Sequence, residues 1–324
     1  MSALLEVSDL TIRFPAANPI AARFSGQPTF IEAVAQVSFA LQAGKTYALV
    51  GESGSGKTTL ARAVVGLVPS HSGTIQFNGQ PISGLSEAAL RPVRRQIAMM
   101  FQDPMGSLSP RLKVRSILAE PFKVHGEVAD LSRKIASLLA DVGLPAHFAE
   151  RYPHQLSGGQ ARRISIARAI ALKPQLIIAD EPTAGLDVSI QGEMLNLMAE
   201  LQAKFGTAFL MITHNLHVVR HVAERMAVMY LGRIVEEGDT AAIFANPRHR
   251  YTTALLSANL KPDPDSSARI IEAEGETPSL LRRPSGCEFH PRCAFRLDIC
   301  RTQRPELQFM TGGHAFSCHN PAQL

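Results

Sequence analysis

The chain has 324 residues, of which 45% are hydrophobic and 19% are charged, and its formal net charge is +5. That length allows one large domain or two ordinary ones, and the composition is normal for a globular protein. No apolar run approaches the ~20 residues needed to cross a bilayer, so we expect any membrane role to depend on partners. The mild positive charge is that of an ordinary basic protein and does not by itself indicate a nucleic-acid or membrane surface.

The N-terminal segment MSALLEVSDLTIRF alternates apolar and polar residues as a β-strand does. It lacks the basic region and apolar core of a secretory signal, so we expect the chain to stay in the cytosol. Alternation and β-branched content predict strands over residues 4–14 and 31–41. The Pro- and Gly-punctuated sequence PAANPIAARFSGQPTF joins them, and a short apolar strand follows over residues 46–50.

The sequence after this third strand fits the phosphate-binding pattern G-x-x-x-x-G-K-[ST]. It reads GESGSGKT over residues 51–58, and a helix is predicted over residues 58–68. Backbone N–H groups at a helix N-terminus can bind phosphate, while Lys57 reaches the β- and γ-phosphates and Thr58 ligates Mg²⁺. We therefore predict binding of ATP and Mg²⁺. The residues predicted to contact the nucleotide here are Gly51, Ser53, Gly54, Gly56, Lys57, Thr58 and Thr59.

Strands and helices alternate along the rest of the first 260 residues. Asn78-Gly79 after residues 74–77 is a hairpin signal, and residues ~103–155 differ in character and are predicted to form a helical insert. Further helices are predicted over residues 131–142, 159–171 (basic and amphipathic), 191–205 and 218–223, buried strands over residues 176–179 and 208–213, and a hairpin over residues 227–230 and 233–236. This alternation indicates an α/β fold with a parallel core.

Polar side chains follow two of the predicted strands and one apolar run. Asp180 and Glu181 end the strand over residues 176–179, and we expect the first to hold Mg²⁺ and the second to polarise the attacking water as general base. Gln102 follows Met99-Met100-Phe101 and can contact Mg²⁺ and the same water. His214 follows the strand over residues 208–213 and can donate a hydrogen bond to the γ-phosphate. The predicted catalytic residues are Glu181, His214 and Gln102, and the predicted magnesium ligands are Thr58, Gln102 and Asp180.

A second motif directed at phosphate is Leu156-Ser157-Gly158-Gly159-Gln160, which opens a predicted helix. Ser157 can cap that helix and present its hydroxyl and backbone N–H groups to an anion. One chain has only one phosphate loop, enough for one ATP, so the loop does not explain the purpose of this second anion site.

In this order and spacing the motifs resemble those of ATP-binding subunits of ABC transporters, over roughly residues 4–255. The resemblance implies a P-loop ABC cassette with a RecA-like parallel core, an antiparallel β subdomain and a helical insert. It also implies that two cassettes pair head to tail, so that residues 157–160 contact the partner's ATP and residues 184–187 cross the dimer interface. Phe14 matches the position whose ring stacks on adenine, with an edge-strand core residue as the alternative. Ala161 departs from the family's usual basic or polar residue, whereas Arg163 occupies the usual arginine position.

Longer segments such as FQDPMGSLSPR, RYPHQLSGGQ and ADEPTAGLDVSIQGE resemble the ATPase subunits of bacterial oligopeptide and dipeptide importers, a group that also includes nickel and glutathione importers. This resemblance implies an ATPase that powers solute import, peripheral to the cytoplasmic face of the inner membrane. The implied partners are a second ABC ATPase, homologous or identical, two transmembrane permease subunits and an extracellular or periplasmic solute-binding protein. Nucleic acid is not an expected partner, and the solute is not encoded in this subunit.

All the cysteines lie near the C-terminus, at Cys287, Cys293, Cys300 and Cys318. In a reducing compartment such a cluster is more often a metal site than a set of disulfides. The spacing C-x5-C-x6-C-x17-C lacks the C-x2-C pairs of most zinc ribbons, yet four thiolates can hold either zinc or a [4Fe–4S] cluster. The resemblance favours [4Fe–4S], with zinc and unmetallated thiols as alternatives.

We expect two domains, an ATPase over residues 1–260 and a C-terminal extension over residues 261–324 that begins with a polar linker over residues 261–286. Two rival functions stay open from the sequence. One is a non-transport ABC ATPase acting on ribosomes or nucleic acid, which usually carries a second cassette or a long coiled coil that this chain lacks. The other is a regulatory switch without turnover, which Glu181 and His214 argue against.

Overall fold

The structure is a computed structural model, and it describes residues 3–16, 28–258 and 273–323. Most of the loop expected between the first two strands, and the first part of the polar linker, lie outside the described residues. The domain boundary expected at residue 260 lies there as well and stays a prediction.

The described elements run in the following order. The strands are β1 (Leu5–Pro15), β2 (Phe30–Leu41), β3 (Thr46–Val50), β4 (Ser72–Phe77), β5 (Gln80–Pro81), β6 (Ile97–Met100), β7 (Leu176–Asp180), β8 (Ala208–Thr213), β9 (Arg225–Tyr230), β10 (Arg233–Asp239), β11 (Gln308–Phe309) and β12 (Ala315–Phe316). The α-helices are α1 (Lys57–Val64), α2 (Glu87–Arg94), α3 (Val114–Val124), α4 (Leu131–Asp141), α5 (Gly158–Ile170), α6 (Val188–Phe205), α7 (Leu216–Val222), α8 (Thr240–Ala245), α9 (Arg250–Ser257) and α10 (Ile299–Thr302). Short 3₁₀ turns cover Ala146–Glu150, Pro153–Gln155, Leu280–Arg282 and His290–Arg292.

The chain divides into two compact units. The first contains residues 41–46 and 85–212, and the second contains residues 2–40, 47–84 and 213–324. The phosphate loop therefore belongs to the same unit as the described part of the C-terminal extension, residues 273–323, which is called the C-terminal tail below.

In the first unit, strands β6, β7 and β8 run parallel, with β7 in the centre. Every residue of β7 and β8 is buried, as expected for parallel strands that are covered on both faces. The predicted insert contains two α-helices, α3 and α4, which pack on each other and on α5. Helix α3 was not predicted because Pro121 lies inside it and breaks the sequence pattern.

Helix α5 differs from its prediction in environment although its bounds agree within a residue. We predicted a basic amphipathic helix, but most of α5 is buried, including Ala161, Arg162, Ser165 and Ala169. The small side chains allow neighbouring elements to approach closely on several sides. The prediction was wrong because a basic residue on a helix usually marks a solvated face, whereas Arg162 is buried here with backbone partners.

The second unit contains an antiparallel sheet in the order β2-β1-β4-β5. Its predicted hairpin is confirmed, because Phe77 pairs with Gln80 across Asn78 and Gly79, which have φ angles of 52° and 73°. Two positive φ angles are the signature of a type I′ turn, for which Asn-Gly is the favoured sequence.

The same unit also contains β3 parallel to β9, and β9 antiparallel to β10 through the predicted turn at Leu231-Gly232. The tail extends this arrangement, since β12 pairs with β10 and β11 pairs with β12. These two-residue strands carry no readable alternation and were not predicted. The tail also shares a core with the preceding strands: the rings of Tyr230, Tyr251 and Phe289 lie 4.6 to 5.4 Å apart.

Candidate active-site residues

The phosphate loop connects β3 to α1 in a conformation that requires glycine. Gly51 has φ of 151° and Gly56 has φ of 99°. A Cβ atom at Gly51 would collide with the Met229 carbonyl oxygen, and one at Gly56 would collide with the Ala33 carbonyl oxygen. The close approach of these two backbones therefore explains both glycines independently of any ligand.

Lys57 begins helix α1 and is buried. Its ammonium group donates hydrogen bonds to the carbonyl oxygens of Gly51 and Glu52, both at 2.8 Å, and to the Ser55 hydroxyl at 3.1 Å. Gly56 is the N-cap of α1, and among the described residues no side chain caps this helix. Thr58 and Thr59 are half-buried, and Ser53 and Gly54 are exposed.

In the first unit, Asp180 is buried at the end of β7, and Glu181 follows it. Glu181 has φ of 50°, a left-handed conformation that residues other than glycine rarely adopt, and its N–H donates to the Ile212 carbonyl at 2.8 Å. Backbone strain of this kind concentrates at functional sites. Gln102 is exposed two residues after the end of β6. Because β6 and β7 are parallel neighbours, Gln102 and Asp180 lie at the same edge of the sheet.

Arg162 is a residue that the sequence reasoning missed. Its guanidinium donates to the Glu181 carbonyl oxygen at 3.2 Å and also to the carbonyl oxygens of Pro182 and Ala184. Burial lowers the pKa of Arg162, while Asp103 and Glu181 oppose that shift. Helical spacing could have indicated that Arg162 is buried, because it lies one turn from Ser165 and Ile166, which are on a buried face of α5.

The LSGGQ motif opens α5 as predicted. The Gln160 N–H donates to the Ser157 hydroxyl at 3.3 Å, and the Ser157 N–H donates to the Gln160 side-chain oxygen at 3.1 Å. This reciprocal pair is a capping box. It leaves Ser157 and Gly158 exposed at the helix N-terminus, while Gly159 and Gln160 are half-buried.

Two further predicted residues belong to the second unit. His214 is exposed in the turn between β8 and α7, where Asn215 caps the helix by accepting from the N–H groups of His217 and Val218. Phe14 is 38% exposed near the end of β1, which lies between β2 and β4. Phe14 is therefore neither on an edge strand nor in the core, and adenine stacking stays a prediction.

The four cysteines are buried free thiols. Burial raises the pKa of Cys287 to about 12 and raises the pKa values of Cys293 and Cys318, and charge on Cys300 would raise all three further. The thiols therefore lie close enough to influence one another. Within the three described ranges, however, no group of three or more His, Cys, Asp or Glu side chains is arranged to hold a metal ion. No metal site is thus seen at the four cysteines, and the predicted [4Fe–4S] cluster stays a prediction.

Residues 34–184 match the family described as ABC transporter, and residues 235–300 match the oligopeptide/dipeptide transporter C-terminal region. The chain is 46% identical to the oligopeptide transport ATP-binding protein AppF of Bacillus subtilis, over 98% of this chain and 97% of that protein. It is 43% identical to the di/tripeptide transport ATP-binding protein DppF of Pseudomonas aeruginosa, over 100% of this chain and 99% of that protein. The chain belongs to the ATP-binding proteins of ABC transporters.

Solved structures agree with this assignment. A dimeric ATP-binding cassette, MJ0796 bound to ADP and phosphate, has a TM-score of 0.64 and 25% identity, covering 73% of this chain and 98% of that one. The ABC-cassette fold predicted from the motifs is thus confirmed, and the protein is an ATPase of a transporter. None of the comparisons supports a non-transport ABC ATPase. Among the described helices, none is long and apolar enough to span a bilayer.

Proposed function

We propose that this chain is the ATP-hydrolysing subunit of an importer for dipeptides or oligopeptides. The observation that carries the proposal is the near full-length similarity to peptide transport ATP-binding proteins, which includes the C-terminal region at residues 235–300. A C-terminal match beyond the cassette is what separates this group from ABC ATPases in general.

The proposed chemistry assigns each motif one task. The phosphate loop and Lys57 hold the ATP phosphates, and Thr58, Gln102 and Asp180 hold Mg²⁺, which neutralises charge that develops on the transferred phosphoryl group. Glu181 accepts a proton from the attacking water, and His214 donates a hydrogen bond to the γ-phosphate. The buried position of Asp180 and the left-handed backbone of Glu181 support these roles.

The proposed partners follow from the second phosphate-directed motif. Residues 157–160 contact ATP held by the phosphate loop of a second ABC ATPase, which explains why the capping box leaves Ser157 exposed. The insert with α3 and α4 contacts two permease subunits at the cytoplasmic face of the membrane, and a solute-binding protein delivers the peptide from the other side.

The test uses vesicles that contain the permease subunits, this ATPase with its partner and the solute-binding protein. ATP should drive uptake of a labelled di- or oligopeptide. Glu181→Gln should keep ATP binding and lose most phosphate release and uptake, because it keeps the shape and removes the base. Lys57→Ala should weaken ATP binding itself. Uptake that persists at the wild-type rate with Glu181→Gln would contradict the assignment of Glu181 as the general base. Uptake of a metal complex instead of peptide would contradict the proposed solute.

We also propose that Cys287, Cys293, Cys300 and Cys318 ligate a [4Fe–4S] cluster. Backbone groups at positions 289, 295 and 320 act to lower the pKa values of Cys287, Cys293 and Cys318, against the effect of burial, and the Arg250 backbone acts on Cys318 in the same way. Groups that lower a thiol pKa stabilise the thiolate, which is the form that a cluster requires. Without metal, burial keeps Cys287, Cys293 and Cys318 as neutral thiols.

Iron analysis of anaerobically purified protein tests this part. We expect a brown protein with about four irons per chain. A colourless protein with one tightly bound zinc would show that the four cysteines hold zinc instead of a cluster. A metal-free protein with four titratable thiols would exclude both metals. Cys293→Ser should abolish the colour, whereas Ser285→Ala, a serine of the same tail that is exposed, should not.

A further inference from the structure

Glu52 is the second residue of the phosphate loop, and its carboxylate is bound by the C-terminal tail. Arg292 donates from Nη1 to Oε1 at 3.1 Å and to Oε2 at 2.8 Å, and the Thr277 hydroxyl donates to Oε2 at 2.6 Å. Arg292 Nη1 also donates to the Thr277 hydroxyl at 3.2 Å. The three side chains thus form a closed set of hydrogen bonds.

The backbone of Glu52 is held as well. Its N–H donates to the Tyr251 hydroxyl oxygen at 2.9 Å, and its carbonyl oxygen accepts from Lys57 Nζ at 2.8 Å. Burial is the main cause that raises the pKa of Tyr251, so the hydroxyl stays protonated. The same residue that orients Lys57 is therefore fixed by α9 and by the tail.

The ion pair is shielded from water, since the Arg292 side chain is only 10% exposed and that of Glu52 is 29% exposed. Burial alone would lower the pKa of Arg292, but Glu52 and Tyr230 raise it overall. A charge-assisted hydrogen bond at such a site is stronger than one in water.

Arg292 is itself rigidly placed. It ends the 3₁₀ turn His290–Arg292, which lies between Cys287 and Cys293. Phe289 packs its ring on Tyr230 and Tyr251. The turn that carries Arg292 is therefore anchored on both sides before it reaches Glu52.

We propose that Arg292, with Thr277, is a positioning residue for ATP: the C-terminal extension pre-organises the phosphate loop through the Glu52 carboxylate. Ordering a loop when a ligand binds costs affinity, and a loop that is already ordered avoids that cost. The inference rests on the proposed role of the phosphate loop and Lys57 in holding ATP. It makes the tail a part of the nucleotide site in addition to its role in folding.

The test measures ATP affinity and steady-state kinetics of the intact ATPase with Arg292→Ala. We expect the Kd and KM for ATP to rise at least about fivefold, while kcat changes less than about twofold. A change in affinity of about fivefold is the smallest that typical coupling between two distinct sites produces. The matched control is Arg301→Ala, which removes the same charge from an exposed position on the same tail. Affinity lost equally in both variants would overturn the proposal.

A double-mutant cycle separates positioning from general stability. Because Arg292 acts through the Glu52 carboxylate, Arg292→Ala should have little further effect on ATP affinity once Glu52→Ala has removed both acceptor oxygens. Arg292→Lys should restore most of the affinity, because only Nη1 contacts Glu52 and one ammonium can replace it. Independent losses in the double variant, or no rescue by lysine, would make Arg292 a purely structural residue.

Two variants keep the test valid if Arg292→Ala does not fold. Thr277→Val and Glu52→Gln leave the turn around Arg292 intact and should each raise the Kd for ATP. Lys57→Ala distinguishes an error in the proposed nucleotide site from an error in the positioning role of Arg292. If Lys57→Ala binds ATP normally, the proposed nucleotide site is wrong; if it loses ATP and the tail variants do not, only the positioning role is wrong.

Discussion

Arg162 and Glu181 show how a single buried side chain can hold a strained segment. The φ of 50° at Glu181 costs roughly 1–3 kcal/mol, and such a conformation persists only when its surroundings determine it. Arg162 supplies that restraint by donating to three carbonyl oxygens between residues 181 and 184. The helix that begins at the LSGGQ motif therefore also fixes the backbone of the proposed base.

Arg162→Met keeps most of the side-chain volume and removes every donor. We expect it to lower phosphate release at least about tenfold, because the segment that carries Glu181 loses its restraint, and to cost about 1–3 kcal/mol of unfolding free energy. The control is Arg168→Met on the same helix, where the half-buried guanidinium donates to the Ser107 carbonyl at 2.8 Å. Chemical denaturation with phosphate-release kinetics should show similar stability losses in both variants but a large turnover loss only with Arg162→Met.

Residue roles were predictable where local chemistry carries them. Gly51 and Ser157 are examples, because a tight turn and a helix cap each require a particular residue type, while the phosphate contact of Lys57 stays a prediction. The pair of Glu52 and Arg292 could not be predicted, because 240 residues separate two side chains that are unremarkable in their own segments. Arg162 was missed because a basic side chain on a helix usually marks a solvated face, although helical spacing places it with Ser165 and Ile166 on a buried face of α5.

At the scale of elements, helix α9 begins with an unusual cap. The Tyr251 N–H donates to Nδ1 of His249, and the His249 N–H donates to Glu236 Oε2 at 2.9 Å. Burial lowers the pKa of His249 to about 4, although Glu236 opposes the shift. The buried Glu236 also accepts from the Arg248 N–H and contacts His314 Nε2, so it joins β10, α9 and the tail.

This cap predicts an acid-sensitive stability. The unfolded chain binds a proton at His249 near pH 6.5, whereas the folded chain does so only near pH 4. The free energy of unfolding should therefore decrease, by up to about 3 kcal/mol, as the pH falls from 6.5 to 4. His249→Asn keeps a capping acceptor and removes the titration, so it should flatten the slope of unfolding free energy between pH 6.5 and 4. His217→Asn, at an exposed position, is the control. An unchanged slope with His249→Asn would contradict the assignment.

Element predictions succeeded where a segment's own pattern decides its structure. The hairpin at Asn78-Gly79 and the buried strands β7 and β8 are examples, because turn chemistry and an apolar run are local properties. Helix α6 begins at Val188, three residues before its predicted start, because Asp187 caps it. Strands β11 and β12 were missed because their structure depends on pairing with β10 rather than on their own two residues.

At the scale of the whole molecule, the proposed site needs a second chain. Ser157→Arg places a long cation where the partner's ATP is proposed to bind, so we expect hydrolysis to fall strongly while ATP affinity of the isolated chain changes little. Ser157→Thr keeps a capping hydroxyl and is the control. Sedimentation with ATP in the Glu181→Gln background should show a pair that Ser157→Arg prevents. Normal turnover and unchanged sedimentation with Ser157→Arg would exclude the paired arrangement.

The contact between Glu52 and Arg292 also has a consequence for synthesis of the chain. The phosphate loop leaves the ribosome early, and the residue that binds Glu52 follows 240 residues later. At translation rates of about 5–20 residues per second, this interval is roughly 10 to 50 s. During that time a nascent chain carries every residue of the loop without the side chain that fixes it. If Arg292 positions the loop as proposed, tight ATP binding is delayed until the chain has been synthesised past Arg292.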